Sequence, residues 1–133
     1  MTDRELYEGV CECIRQTLKK ELPEIRESDR FIADLEGDSL DFLDLIFRLE
    51  ERFSVRVNPR ELERRTQEAL GDIPMIVDER YTEAAIVELR KALPEVPEDE
   101  LFPGMSINKF PGTLRVKTFM NLVGHMLESQ KTI

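Results

Sequence analysis

Residues 31–53 read FIADLEGDSLDFLDLIFRLEERF, and the texture of the chain changes in the middle of that stretch. Up to Gly37 the apolar residues Phe31, Ile32 and Leu35 are scattered among Asp34 and Glu36, the pattern of a loop pinned to a core by its hydrophobic side chains. From Asp38 onward the pattern is helical. Asp38 is a residue type that caps helices, Ser39 stands at the first helical position, and Asp41 supplies a weaker version of the capping box, in which cap and N3 side chains each bond the other's backbone N–H. A helix over 38–53 carrying Ser39 in its first turn is therefore expected. Its apolar residues cover more than the single stripe of a simple surface helix. Spacings of three and four gather Phe42, Leu45, Ile46, Leu49 and Phe53 on the face assigned to the core, which leaves Leu40, Leu43 and Phe47 as a partly exposed ridge.

Before this stretch, Thr2 and Glu5 have capping-box spacing, and Leu6, Val10, Ile14 and Leu18 recur every four residues. This predicts an amphipathic helix over 3–22, ended by Leu22-Pro23 because proline cannot continue the hydrogen-bond ladder. A mostly polar loop, 24–30, follows. On the other side, Val55-Arg56-Val57 alternates like a short extended piece. Asn58-Pro59 then reads as a cap plus N1 proline for a helix through Leu62 to Leu70, stopped by Gly71-Asp72. From 71 to 112 the composition shifts. Pro74, Pro94, Pro97, Pro103 and Pro111 punctuate an acidic stretch with one helical segment, capped by Thr82 and apolar along Ala85, Ile86, Leu89 and Leu93. A closing helix over 114–128 places Val116, Phe119, Met120, Val123 and Met126 at helical spacing. No repeat and no strand pattern of useful length is visible, so the expected fold is all-α, a single domain over 1–133.

Composition narrows the function. With 41% hydrophobic and 35% charged residues the chain has enough to bury for a small helical core, which excludes a disordered class. The formal charge of −9 argues against a nucleic-acid binder, which needs clustered Lys and Arg to release counterions from phosphates. It fits either a basic partner surface or a plain solubility device. Cys11 and Cys13, two apart in a helical pattern, point in nearly opposite directions and are read as packing residues rather than a disulfide or a metal pair. Apolar runs are too short to span a bilayer, and Met1 to Glu5 lacks the basic and apolar regions of a signal peptide, so a cytoplasmic location is expected.

The stretch 31–53 resembles the acyl carrier protein family, whose hallmark is a D-S-L tripeptide opening the second helix of a small helical bundle. Here the tripeptide is Asp38-Ser39-Leu40, with the lead-in Phe31-x-x-Asp34-Leu35, acidic residues at Asp41, Asp44, Glu50 and Glu51, and Phe53 closing the helix. The resemblance implies an acyl-carrier-like helical bundle with an extra helical insertion at 71–112, and a 4′-phosphopantetheine arm attached covalently to Ser39. A phosphopantetheinyl transferase would load the arm from coenzyme A, using Mg²⁺ in its own site, and the arm's thiol would carry acyl groups as thioesters for fatty-acid, lipid or polyketide-type synthesis. In this family the acyl chain can be sheltered between the helices. The chain would supply no catalytic group and no metal ligand: a carrier, not an enzyme. The physical logic stands beside the name. A hydroxyl in the first turn of a helix lies beside unpaired backbone N–H groups and the favourable end of the helix dipole, a good place for a phosphodiester. Asp38, Asp41, Asp44, Glu50 and Glu51, with Leu40, Leu43 and Phe47 between them, would form a docking face. Acidic rims steer a carrier to acyl-transferring or ketosynthase-type enzymes with basic surfaces, while weak apolar contacts keep residence short. A monomer is expected, because no heptad seam or strand edge offers a dimer interface.

For the insertion, three readings stay open: its Ile86, Leu89 and Leu93 face packs over the bundle and enlarges the apolar interior, it forms a docking surface for a dedicated partner, or it adds only stability. Lys109, Arg115 and Lys117 are basic within an acidic protein and can pair with its acidic faces. Other function classes are an aminoacyl or peptidyl carrier, a noncovalent adaptor using the acidic helix face, and a serine hydrolase of the GDSL type, spelled by Gly37 to Leu40. The hydrolase needs a strand before the serine and an Asp-x-x-His. The one histidine, His125, has Leu122 at that spacing.

Overall fold

The computed structural model describes residues 1–58 and 60–131. Helix α1 spans Asp3–Leu18, and its start is the expected capping box: the Glu5 N–H donates to Thr2 Oγ1 at 3.1 Å and the Thr2 N–H to Glu5 Oε1 at 3.0 Å. Val10 and Ile14 are buried, as are Cys11 and Cys13, both free thiols. The helix ends at Leu18 rather than Leu22. Lys19 turns into the left-handed region at φ 55° and returns its N–H to the Arg15 carbonyl at 2.9 Å, so a local C-cap stops the ladder before Pro23 can.

The loop that follows is less polar than its composition. Ile25, Phe31 and Leu35 are all buried, and the Tyr7 hydroxyl donates to the Ile25 carbonyl. Its backbone is satisfied by two side-chain turns, the Arg26 N–H on Asp29 Oδ2 at 2.8 Å and the Arg30 N–H on Asp34 Oδ2 at 2.7 Å. Two further bonds, from the N–H groups of Val116 and Lys117 to the carbonyls of Asp29 and Glu27, tie it to the start of helix α5, Val116–Lys131. That helix is expected from Leu114, but Leu114 and Arg115 are outside it; the Arg115 N–H donates to Thr118 Oγ1 at 3.3 Å at its entry.

Helix α2, Ser39–Phe53, packs against α1 and α5. Leu45, Ile46, Leu49 and Phe53 are buried as the spacing predicts, and Phe42 is half-buried. Helices α1 and α2 approach closely at Gly9, where a Cβ would lie 2.5 Å from the Phe53 ring. With Val116, Phe119, Met120 and Val123 from α5, these residues form the core of one compact unit, residues 1–57 with 115–131. Val55 and Val57 bury their side chains without joining a strand.

Residues 58–114 form a second compact unit. Asn58 opens it with an Asx turn, its Oδ1 accepting the Arg60 N–H at 2.9 Å and its carbonyl accepting the Glu61 N–H at 3.0 Å. Helix α3 then runs Glu61–Leu70 and stops at Gly71, which takes φ 62°. The expected N1 proline, Pro59, lies outside the described residues. A hairpin of two-residue strands, β1 Ile76–Val77 and β2 Arg80–Tyr81, turns through Asp78 and Glu79, both at positive φ. Strands this short carry no alternation to read, which is why the sequence does not announce them. Helix α4, Glu83–Ala92, is capped by Thr82, whose Oγ1 accepts the Ala85 N–H at 3.3 Å. Its Ile86 and Leu89, with Leu93 just beyond, pack with Leu70, Met75, Tyr81, Leu101 and Met105. Arg90 holds the chain beyond α4 by donating Nε to the Leu101 carbonyl at 2.9 Å. The apolar face whose destination the sequence leaves open therefore closes a core within 58–114, a unit that begins at Asn58 and takes in α3 as well as 71–112.

Candidate functional site

The first turn of α2 is built by reciprocal hydrogen bonds. The Asp41 N–H donates to Asp38 Oδ1 at 2.8 Å and the Asp38 N–H to Asp41 Oδ2 at 3.0 Å, a complete capping box where the sequence suggests a weaker one. Within that frame Ser39 is exposed at the first helical position. The N–H groups of Ser39 and Leu40 precede the point where helical partners become available, so they lie beside the Ser39 hydroxyl at the positive end of the helix dipole. The Asp38 and Asp41 carboxylates are turned onto backbone N–H groups, which offsets the repulsion they would exert on an anion at Ser39. The chemistry of this donor set fits a phosphodiester.

What precedes Ser39 holds it in place. Glu36 has φ 62°, the Gly37 N–H donates to the Phe31 carbonyl at 2.9 Å, and a Cβ on Gly37 would lie 2.5 Å from the Phe31 ring. Only glycine allows the chain to pass that close to the ring. Nothing local in the sequence marks Gly37 for this packing role, since its neighbour Phe31 is reached through the loop. Asp34 closes the same loop. The Arg30 backbone N–H, and then the Arg30 side chain, hold its carboxyl below the usual carboxylate range.

Of the residues expected to line a docking face, some are exposed and others are not. Leu40, Leu43 and Phe47 are 77%, 57% and 61% exposed, an apolar ridge running down α2 from Ser39. Asp38, Asp44 and Glu51 are exposed beside it, whereas Asp41 and Glu50 are half-buried. Glu50 Oε2 accepts the Val57 N–H at 3.0 Å and so ties down the chain leaving α2. Asp44 is paired with Arg48 at 2.8 Å, a bond that lowers its carboxyl pKa from the ordinary value. The i,i+4 spacing of Asp44 and Arg48 would have revealed this pair in the sequence. Arg52, one turn on, reaches Glu12 of α1 at 2.8 Å. Of the basic residues, Lys117 pairs with Glu27 at 3.5 Å, while Arg115 is buried and Lys109 exposed.

Residues 36–38 before Ser39 are not a strand, and His125 lies exposed on α5, so the local frame of a GDSL-type nucleophile is not formed. Among the described residues no cluster of three or more His, Cys, Asp or Glu could hold a metal ion, and no helix is long and apolar enough to cross a membrane.

Comparisons with known proteins bear on the same region. The family described as the phosphopantetheine attachment site matches residues 8–73, from α1 through α2 and α3, and so spans the boundary between the two units. The acyl carrier protein of Helicobacter hepaticus is 36% identical over 58 residues, covering 44% of this chain and 76% of that protein. The acyl carrier protein of Borreliella burgdorferi strain B31 is 34% identical over 80 residues, covering 60% of this chain and 98% of that protein. No solved structure gives a significant match. A phosphopantetheine attachment domain, built as a helical bundle with a hydroxyl displayed at the start of its second helix, places this chain in the acyl carrier protein family.

Proposed function

We propose that Ser39 is the residue that carries the 4′-phosphopantetheine arm, and that the chain delivers acyl groups as thioesters for fatty-acid, lipid or polyketide-type synthesis. The observation that carries this reading is the exposed Ser39 hydroxyl in the first turn of α2, framed by the Asp38–Asp41 capping box. Loading by a phosphopantetheinyl transferase forms a bond from Ser39 Oγ to the β-phosphorus of coenzyme A. The phosphoanhydride bond breaks, adenosine 3′,5′-bisphosphate leaves, and the hydroxyl proton passes to the transferase. The arm supplies a thiol for thioester exchange. The chain's own residues orient it: the capping box fixes the first turn, the α2 N–H groups receive the phosphodiester, and Gly37 keeps the approach close.

Docking to partner enzymes would use Leu40, Leu43 and Phe47 as the apolar contact, with Asp38, Asp41, Asp44, Glu50 and Glu51 as the acidic surround. Glu51 is the stronger candidate for steering, because Asp44 is paired with Arg48, Glu50 bonds Val57, and the Asp38 and Asp41 carboxylates cap the first turn of α2. Residues 71–112, within the second core, are the part of this single-chain carrier that would set it apart from shorter relatives.

The test is intact mass after incubation with coenzyme A and a broad phosphopantetheinyl transferase. The chain should gain one phosphopantetheine, and the Ser39→Ala chain none. A gain that survives that substitution, or no gain at all, rejects the assignment. An adaptor acting without the arm would keep its function in Ser39→Ala.

A further inference from the structure

Resting on the reading of Ser39 as the arm-bearing residue, we infer that three phenylalanines plug the interior beneath Ser39, so that the acyl cargo rides in water and is a short or polar group rather than a long alkyl chain. The rings come from three elements that meet under the first turn of α2. Phe31, from the loop, is 1% exposed and packs against Gly37. Phe119, from α5, meets the Phe31 ring edge to face, with centroids 5.8 Å apart and planes at 78°. Phe42, from α2, also meets the Phe119 ring, with centroids 6.0 Å apart and planes at 47°, and is half-buried.

Ser39 sits between the two α2-side contacts, Gly37 just before it and Phe42 just after it. A chain folding back from Ser39 into this unit would meet rings on both sides. Interiors are packed at crystal density, and an inserted alkyl chain gains its transfer energy only where it finds or makes room. Here room requires moving Phe119, which both other rings contact, or lifting Phe31 from Gly37. Displaced aromatic rings would lose large buried areas of their own. The apolar face that could have widened the interior, Ile86, Leu89 and Leu93, is already packed in the core of 58–114.

The test compares acetyl and octanoyl arms loaded onto the full chain from their coenzyme A thioesters. Intact mass first reports whether Ser39 is loaded, which judges the arm assignment separately. Cleavage by hydroxylamine is then measured for each thioester, relative to the same acyl group on coenzyme A. Both should be cleaved within about twofold of that reference, because no apolar shelter forms. In Phe42→Ala the octanoyl arm should become protected by about tenfold and the acetyl arm stay unchanged, since the truncated ring leaves space. Phe42→Leu, a milder truncation, serves if Phe42→Ala fails to fold.

Octanoyl protection of about tenfold on the unaltered chain would overturn the proposal, as would a folded Phe42→Ala chain that protects neither arm. A second arm needs no enzymatic loading. Ser39→Cys, alkylated with a maleimide on a pantetheine-length linker ending in acetyl or octyl, should melt at the same temperature with either end group. A higher Tm with octyl alone would mean that the interior admits the chain, against the proposal.

Discussion

At the scale of single residues, Gly37 matters as much as Ser39. Its missing side chain lets Phe31 lie against the backbone just ahead of α2, and a Cβ there would come within 2.5 Å of the ring. Gly37→Ala should therefore cost about 1–3 kcal/mol by overpacking, measured by urea denaturation. Gly124→Ala is the contrast. It lies inside α5, its Cβ would meet Leu6 Cδ2 at an ordinary 3.5 Å, and the substitution should stabilise by about 0.5–1 kcal/mol through helix propensity. Asp34 carries a pH dependence. Because its folded pKa lies below the ordinary value of 3.8, its ionised turn with Arg30 contributes above the unfolded pKa and is lost as pH falls through the folded one. Asp34→Asn should accordingly lower Tm at neutral pH and make less difference toward pH 2, as followed by thermal melts across that range.

At the scale of elements, α2 was the most legible part of the chain. Cap, first turn, buried stripe and exposed ridge are all relations within four residues, and each was readable from residues 38–53. Removing the cap tests how far the first turn depends on it. Asp38→Ala should cost about 1 kcal/mol and speed hydrogen exchange at the Asp41 amide, with α5 amides unaffected. Helix α1 was legible at its start but not at its end. Pro23 is a stop signal in the sequence, but the left-handed Lys19 stops the helix first, and lysine is a residue that announces no such turn. The hairpin at Ile76–Tyr81 escaped for a related reason: Asp78 and Glu79 take positive φ with neither glycine nor asparagine between the strands.

At the scale of the molecule, the chain builds two cores, each with its own set of deeply buried residues. Leu49 and Leu89 are counterparts, each fully buried in one of them. Truncation of either should cost about 2–5 kcal/mol in the unit that holds it. Hydrogen exchange read by peptide should rise chiefly across 58–114 in Leu89→Ala and chiefly across α1, α2 and α5 in Leu49→Ala. Equal loss of protection everywhere in both variants would show that the two cores unfold together. The composition shift at Gly71 signalled that something new begins, but the second core begins earlier, at Asn58, because α3 packs on α4. Packing partners that far apart leave no periodicity to read.

The sequence by itself determined the helix that displays Ser39, the capping of that helix, its buried stripe, and the exposed ridge of Leu40, Leu43 and Phe47. Side chains three and four apart share a helix face whatever surrounds them, so local spacing is enough. The tertiary structure alone decided that Ile25 of a polar-looking loop is core, that Glu50 is bound to Val57, that Phe31 presses on Gly37, and that the Ile86, Leu89 and Leu93 face closes a core of its own. Each of these joins side chains to groups that local helical spacing does not bring together, and close packing in three dimensions selects them.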